Sequence, residues 1–221
     1  MNISEAIAAR HSVRQYQARP IEEDTASRLK DYISQINAES GLNIQLVLNE
    51  PKAFDSARAH YGKLTGISNY IALIGKKGAD LNEKCGYYGQ KIVLEAQMLG
   101  LNTCWVGIMF KKIPDAFTIN KGEKLALVIA IGYGATRGHE RSSKTPEQVS
   151  NVSPSSPEWF RNGVECALLA PTAMNQQKFM LTLDGEKVKA KALTGPFSKV
   201  DLGIVKCHFE IGSGKDSSVW A

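Results

Sequence analysis

No stretch of the 221 residues is apolar for long enough to cross a bilayer. The longest apolar runs, such as Leu125 to Ile131, fall far short of the roughly 20 residues that a spanning helix needs. The N-terminus lacks the charged-then-apolar pattern of a secretory signal, so the cytoplasm is the expected location and no membrane partner is expected. No Walker loop occurs, and no G-x-G-x-x-G follows a strand pattern, which removes support for a P-loop or Rossmann site. No serine sits in a nucleophile elbow, so nothing points to a hydrolase. The four histidines, His11, His60, His139 and His208, have no ligand spacing, and no metal is expected. The four cysteines, Cys85, Cys104, Cys166 and Cys207, stand singly and read as unpaired structural thiols in a reduced compartment. A strong charge imbalance is missing too. With 27 Lys and Arg against 22 Asp and Glu, the net charge of +5 mildly favours anionic ligands and is no footprint of a nucleic-acid binder.

What is present is an ordinary globular composition, 43% hydrophobic and 22% charged, in a chain long enough for one or two domains. Helical periodicity predicts a short helix over Ile3 to Ala9 with Asn2 or Ser4 as cap, and a second one from Pro20 to Gly41. A third, the longest, is predicted from Gly86 to Leu99 with Gly100 as its stop. Short apolar runs predict strands at Gln45 to Leu48, Tyr70 to Gly75 and Leu125 to Gly132, and Lys52 to Thr65 reads as helix and loop. Cys104 to Gly107 is a tight apolar segment. Gly134 to Pro157, rich in Gly, Ser, Lys, Arg and Pro, reads as a surface arm. Beyond it come a helix over Trp159 to Leu169, a strand over Phe179 to Leu183 and a turn at Asp184-Gly185. A helix from Ser198 to Phe209, capped by Ser198 or Asp201, precedes a Gly- and Ser-rich tail expected to fray. Strands interleaved with helices argue α+β or α/β with helices on both faces of one sheet.

A faint repeat runs through this order. Asn43-Ile44-Gln45 and Asn175-Gln176-Gln177 each follow a helix and lead into a strand, 132 residues apart. Tyr88-Gly89-Gln90-Lys91 and Leu202-Gly203-Ile204-Val205 begin similar helices, 114 residues apart. Chance similarity between two helix–strand units would look the same in the sequence.

Three motifs carry possible chemistry. In Arg10-His11-Ser12-Val13-Arg14, an extended backbone puts Arg10, Ser12 and Arg14 on one face. The two arginine Cα atoms are then roughly 13 Å apart at ~3.3 Å per residue, so their arms can converge on one phosphate beside the serine hydroxyl. A solvated basic strand would carry the same residues. Ala170-Pro171-Thr172-Ala173-Met174-Asn175-Gln176-Gln177 joins a fixed turn to small residues and carboxamides. Asn175 can pair with an imide edge such as a flavin's, or simply form a turn. Gly100 to Gly107 would let backbone lie against a planar ring with Trp105 as a wall, or be a helix stop with a core aromatic. The basic arm of Arg137, His139, Arg141 and Lys144 is a further source of positive charge, or an exposed loop.

Together these stretches resemble the FMN-dependent nitroreductase family. Arg10 to Arg14 resembles its R-[RH]-S-x-[RK] element, and Ala170 to Gln177 its A-P-S-S-x-N-x-Q loop. Gly86 to Gly107 resembles its long helix ending in G-L-x-x-C-W-x-G, and Leu125 to Gly132 with Lys144 and Pro146 its last strand and basic tail. In ordinary members the A-P-S-S loop comes early and serves the partner subunit. Here the early position, Ala38 to Asn43, has no proline, and the matching loop lies late in the chain. That order resembles the compact subgroup in which one chain contains two related halves and imitates the usual dimer. The resemblance implies an α+β fold with a central, mostly antiparallel sheet flanked by helices. It divides the chain into a first half over 1–135, a basic linker over 136–157 and a shorter second half over 158–221.

For the site, the resemblance implies FMN as cofactor. Arg10, His11, Ser12 and Arg14 fall on the phosphate and ribityl side, and Lys144 or Arg141 is a further phosphate partner. Trp105, Val106 and Gly107 lie near the ring with backbone contacts, and Pro171, Thr172 and Asn175 lie by the isoalloxazine. No side chain is expected to act as general acid or base. The implied reaction is transfer of hydride from NADH or NADPH and reduction of a nitroaromatic or quinone-type small molecule in ping-pong order. A flavin-binding protein or sensor with little turnover is the alternative. A monomer is expected, with a homodimer still open.

Overall fold

The computed structural model describes the backbone of residues 1–221 and every side chain except those of Arg58 and His60. Seven α-helices and six strands succeed one another among the described residues. They are α1 (Ile3–Ala9), α2 (Glu23–Ser40), β1 (Gln45–Val47), α3 (Ala57–Tyr61), β2 (Tyr70–Lys76), α4 (Leu81–Met98), β3 (Asn102–Val106) and β4 (Glu123–Gly132). After these come α5 (Pro146–Val149), α6 (Glu158–Leu168), β5 (Phe179–Asp184), β6 (Lys187–Ala192) and α7 (Ser198–Ser213). The chain divides into two compact units. One comprises Arg10–Leu81 and Ile92–Glu140, the other Met1–Ala9, Asn82–Lys91 and Arg141–Ala221. The fold is α+β with antiparallel sheet, as expected.

The first unit is built on a four-stranded sheet of order β1-β2-β4-β3 in which every neighbouring pair is antiparallel. β2 is its apolar centre. Tyr70 through Gly75 are all buried, as a continuous apolar run requires when both faces are covered. Ile71 pairs with Leu46 on one side and Ile129 on the other, and Ile129 faces Trp105 of β3. Val13 and Tyr16 pack with Phe54, Leu64, Tyr70 and Val106 in the core beneath this sheet. α2 ends where Gly41 adopts φ +67 and returns its N–H to the Asn37 carbonyl, a left-handed stop open to glycine.

The second unit packs α6 and α7 with the β5–β6 hairpin. Gly163 of α6 leaves room for the Phe209 ring of α7. Trp159, Phe160 and Trp220 gather around that ring at centroid distances of 6.4, 5.9 and 5.1 Å. The opening turn of α1 is closed by a reciprocal pair, Glu5 N–H to Asn2 Oδ1 and Asn2 N–H to Glu5 Oε2, both 2.9 Å.

Several sequence expectations need correction. α4 starts at Leu81, more than a turn before Gly86. Cys104 to Val106 belong to a strand. β6 is a strand that the sequence patterns do not announce. α7 is preceded by Phe197 at φ +57, so neither Ser198 nor Asp201 caps it, and Asp201 lies buried in its first turn. The tail does not fray. Ser217–Val219 form a 3-10 turn, the Trp220 Nε1–H donates to Glu210 at 2.6 Å, and Ala221 N–H donates to the Val188 carbonyl at 3.1 Å.

Candidate functional site

The Arg10 to Arg14 stretch is neither a helix nor a free surface strand. Val13 N–H donates to the Thr103 carbonyl at 3.0 Å, and a parallel bridge joins Ser12 to Thr103, so the segment adds itself beside β3. Further on, Thr65 N–H donates to the Arg14 carbonyl and Tyr16 N–H to the Thr65 carbonyl, both at 3.0 Å. Gln17 N–H donates to the Tyr133 carbonyl and Ala135 N–H to the Gln15 carbonyl, both at 2.8 Å. Backbone from three distant parts of the chain thus fixes residues 12–17. The side chains alternate as extended chain requires: Val13 is fully buried, while Ser12 and Arg14 face outward.

Ser12, Arg14 and Gln15 line one side of a cavity of about 500 Å³. Lys63, Thr136 and His139 line it as well, with Tyr61, Gly62 and Gly138. The volume is in the range of small-molecule sites. The donor set suits an anion: a guanidinium fork, an ammonium, three hydroxyls, a carboxamide and an imidazole. Arg10, by contrast, is buried and lies outside this lining. It still acts near Arg14. Burial pushes the Cys104 thiol above its usual range, and both Arg14 and Arg10 pull it back down. Two guanidinium groups therefore bear on the same point of β3. The same environment acts on Tyr16: burial raises its phenol well above the usual value, the Cys104 charge adds to this, and Arg14 opposes it.

His11 sits under the arm that leaves β4. A Cβ on Gly138, which has φ +79, would stand 2.6 Å from the His11 Cβ. Trp105 and Val106 are the last two residues of β3, and Gly107 is the first beyond it. Val106 is a core residue, Trp105 is half-buried, and none of the three lines the cavity.

In the other unit, Ala170 to Gln177 forms a cross-linked loop. Met174, Asn175 and Gln177 all have left-handed backbone, at φ +51, +54 and +46. Non-glycine residues adopt that conformation at a cost, and they hold it only when their surroundings over-determine it. Gln177 supplies much of that determination. Its side-chain oxygen accepts from Ser143 Oγ (3.1 Å) and Lys144 N–H (3.0 Å), and its amide donates to Asn175 Oδ1 (3.0 Å) and the Ser142 carbonyl (3.3 Å). Gln177 N–H donates to Thr172 Oγ1 at 3.0 Å. The Asn175 amide donates to the Ser142 carbonyl at 2.8 Å, which leaves it one N–H and one lone pair for other partners. Pro171 is buried at the start of the loop.

The basic arm is thereby divided. Thr136, Gly138 and His139 go to the cavity of Ser12 and Arg14. Lys144 Nζ donates to the Gln177 carbonyl at 2.9 Å, and Arg141 donates to the Leu168 carbonyl at 3.3 Å, at the end of α6. Burial lowers the Arg141 pKa from its ordinary value.

The sequence does not point to Lys63 or Thr136. Each is a lone residue in a polar segment, brought in only by pairing with residues 14–17. Gln177 appears in the sequence only as one of the carboxamides of the Ala170 to Gln177 motif, and Asp201 only as a candidate helix cap, which it is not. Their roles in holding the loop depend on tertiary contacts that no local signal announces.

The antiparallel sheet of this α+β fold thus carries a cation-lined, ligand-sized cavity beside its edge strand β3. The family described as "Putative TM nitroreductase" matches residues 2–213, and the chain belongs to that family. Among solved structures it is similar to a "putative nitroreductase" of Thermotoga maritima MSB8. The two are 26% identical over 96% of this chain and 83% of that one, with a TM-score of 0.69. It shares its fold with a "putative nitroreductase in complex with FMN" from Desulfovibrio desulfuricans, at 15% identity over 71% and 99% of the two chains and a TM-score of 0.53. It also shares it with a "Putative NADH Oxidase" of Clostridium acetobutylicum, at 18% identity over 69% and 99% and a TM-score of 0.51. No curated protein matches the chain.

Proposed function

We propose that the protein is an FMN-dependent oxidoreductase that takes hydride from NADH or NADPH and reduces a nitroaromatic or quinone-type acceptor in ping-pong order. The observation that carries this reading is the cavity of Ser12, Arg14, Lys63 and His139 in a chain of the nitroreductase family. Its donor set fits a phosphate monoester: Arg14 offers a planar fork, Lys63 a point charge, and Ser12 and Thr136 two hydroxyls. Bound there, FMN would supply the hydride-accepting and hydride-donating chemistry. The chain's own residues bind and orient it. Arg14, Ser12, Lys63 and Thr136 hold the phosphate end, and Arg10 adds positive charge from its buried place beside Cys104. The assignment of Pro171, Thr172 and Asn175 to the isoalloxazine rests on the likeness of Ala170 to Gln177 to the family's loop. That of Val106 and Gly107 rests likewise on the likeness of Gly86 to Gly107 to the family's long helix and its G-L-x-x-C-W-x-G ending.

The repeat supports a single chain built as two related halves. α2–β1–β2–α4, with α3 inserted between β1 and β2, and α6–β5–β6–α7 both frame an antiparallel strand pair with helices. The 114-residue offset equates Gly86 with Val200. A Cβ on Gly86 would stand 2.0 Å from the Val200 carbonyl, so α4 and α7 touch at positions that the repeat equates.

Absorbance of the purified protein tests the reading. A yellow protein bleached anaerobically by NADH or NADPH, and re-oxidised by a quinone or nitroaromatic, is expected. A colourless protein that takes up no FMN on incubation removes it. Bound FMN with negligible NAD(P)H oxidation across a panel of acceptors favours a binding or sensing role.

A further inference from the structure

Asp201 is a carboxylate in an unusual place. It is 3% exposed, in the first turn of α7, and both of its oxygens are turned to the Ala170 to Gln177 loop. Ala173 N–H lies 3.0 and 3.2 Å from Oδ1 and Oδ2, and the Gln176 amide donates to Oδ2 at 2.8 Å. The same Gln176 amide donates to the Pro196 carbonyl at 2.7 Å, and Asp201 N–H donates to the Phe197 carbonyl at 2.9 Å. Phe197 is itself left-handed, at φ +57. The Asp201 side chain thus holds Ala173 and Gln176 directly, and the Gln176 amide and the Asp201 N–H extend that hold to Pro196 and Phe197.

We propose that Asp201 is the positioning residue of this loop: as a carboxylate it accepts only donors, and so holds Ala173 to Gln177 in the conformation that presents Thr172 and Asn175. The presentation to flavin rests on the functional reading above; the hold on the loop does not. Every partner named at its oxygens is a neutral N–H group. A protonated Asp201 would turn one oxygen into a donor facing those donors. Burial pushes the carboxyl up to about 6, with the Gln176 and Ala173 hydrogen bonds pulling against it, and no charged side chain contributes to the shift. The hold therefore weakens in mild acid.

Asp201→Asn is the direct test, because its new N–H group must face either the Ala173 N–H or the Gln176 amide, donor to donor. Two readouts are needed: amide hydrogen exchange across residues 173–177 without flavin, and FMN affinity from pH 5 to 7. Expected for Asp201→Asn is faster exchange and FMN affinity about tenfold weaker, the scale of a lost hydrogen bond to a charged group. Wild-type affinity should fall below pH ~6, and this fall should vanish in the variant. Unchanged exchange in Asp201→Asn overturns the proposal. So does faster exchange with unchanged affinity, or a wild-type affinity that does not fall below pH ~6. A wild-type protein that takes up no FMN removes the functional reading instead, and the exchange result then decides the role of Asp201 alone.

Discussion

The Cα of Gly138 lies so close over His11 that a methyl group there would meet the His11 Cβ at 2.6 Å and the Ser12 carbonyl oxygen at 3.2 Å. Gly138 also has φ +79. Gly138→Ala is therefore expected to push the arm of Thr136 and His139 off the Ser12 segment. A stability loss of about 1–3 kcal/mol is the usual scale for added bulk combined with strained backbone. Urea denaturation measures this loss, and FMN uptake of the still-folded variant should fall with it.

Arg14 is the guanidinium that lines the cavity, and Lys63 the ammonium. Arg14→Ala should weaken FMN retention by roughly 10- to 100-fold, since a hydrogen bond to a charged group is worth about 1.5–3 kcal/mol. Arg14→Lys should lie between the two, because a point charge replaces a fork. Fluorescence titration with FMN reads each value. Unchanged affinity in Arg14→Ala would count against the phosphate assignment.

Lys63 and Lys144 make a paired comparison. Lys63 lines the cavity, whereas Lys144 Nζ is occupied by the Gln177 carbonyl. Lys63→Ala is expected to weaken FMN binding and reduce its salt dependence, whereas Lys144→Ala should mainly loosen residues 142–177. Titrations at two ionic strengths separate the effects.

Asp201 also has a consequence for overall stability, with a sign opposite to that of most carboxylates. Its folded value is raised, from 3.8 to about 6. The folded chain then binds this proton more tightly than the unfolded chain, so this group's contribution to stability grows as pH falls from about 6 towards 4. The shift corresponds to about 3 kcal/mol at full effect. Asp201→Asn should flatten the unfolding free energy over that window relative to wild type. Denaturant titrations at pH 4.5 and 7 check it.

The Trp220 ring packs tilted against Phe209 at 5.1 Å and donates to Glu210, whose other oxygen accepts from Tyr87 Oη at 2.5 Å. Trp220→Ala is expected to cost roughly 3 kcal/mol, the lower end for an aromatic truncated to alanine. Thermal unfolding measures it, and a fraying tail would show no change.

The parts of the fold that are legible in the sequence are those where local chemistry and burial agree. Tyr70 to Gly75 is apolar throughout because β2 is covered on both faces. Gly41 and the acidic first turn mark the two ends of α2. β6 escapes because Lys187, Lys189 and Lys191 alternate with Val188, Ala190 and Ala192: the period is right, but lysine and alanine are weak strand formers. The start of α4 is hidden by a polar first turn in which only Leu81 and Cys85 are apolar. In the site, Ser12 and Arg14 are legible from their spacing. Lys63 and Thr136 are not, because the Gln15–Thr65 bridge and the Ala135–Gln15 hydrogen bond that bring them in join residues some 50 and 120 positions apart.

The contact between Trp220, Ala221 and Val188 also bears on how the protein behaves at high concentration. β6 pairs with β5 on one side only, and its other edge would offer unpaired amides to any passing strand. Ala221 N–H occupies the Val188 carbonyl there, and the lysines at 187, 189 and 191 spread like charge along the rest. Removing Trp220 and Ala221 thus does more than remove packing. It opens a template for intermolecular strand pairing, so truncated protein should self-associate under conditions that leave the full chain dispersed.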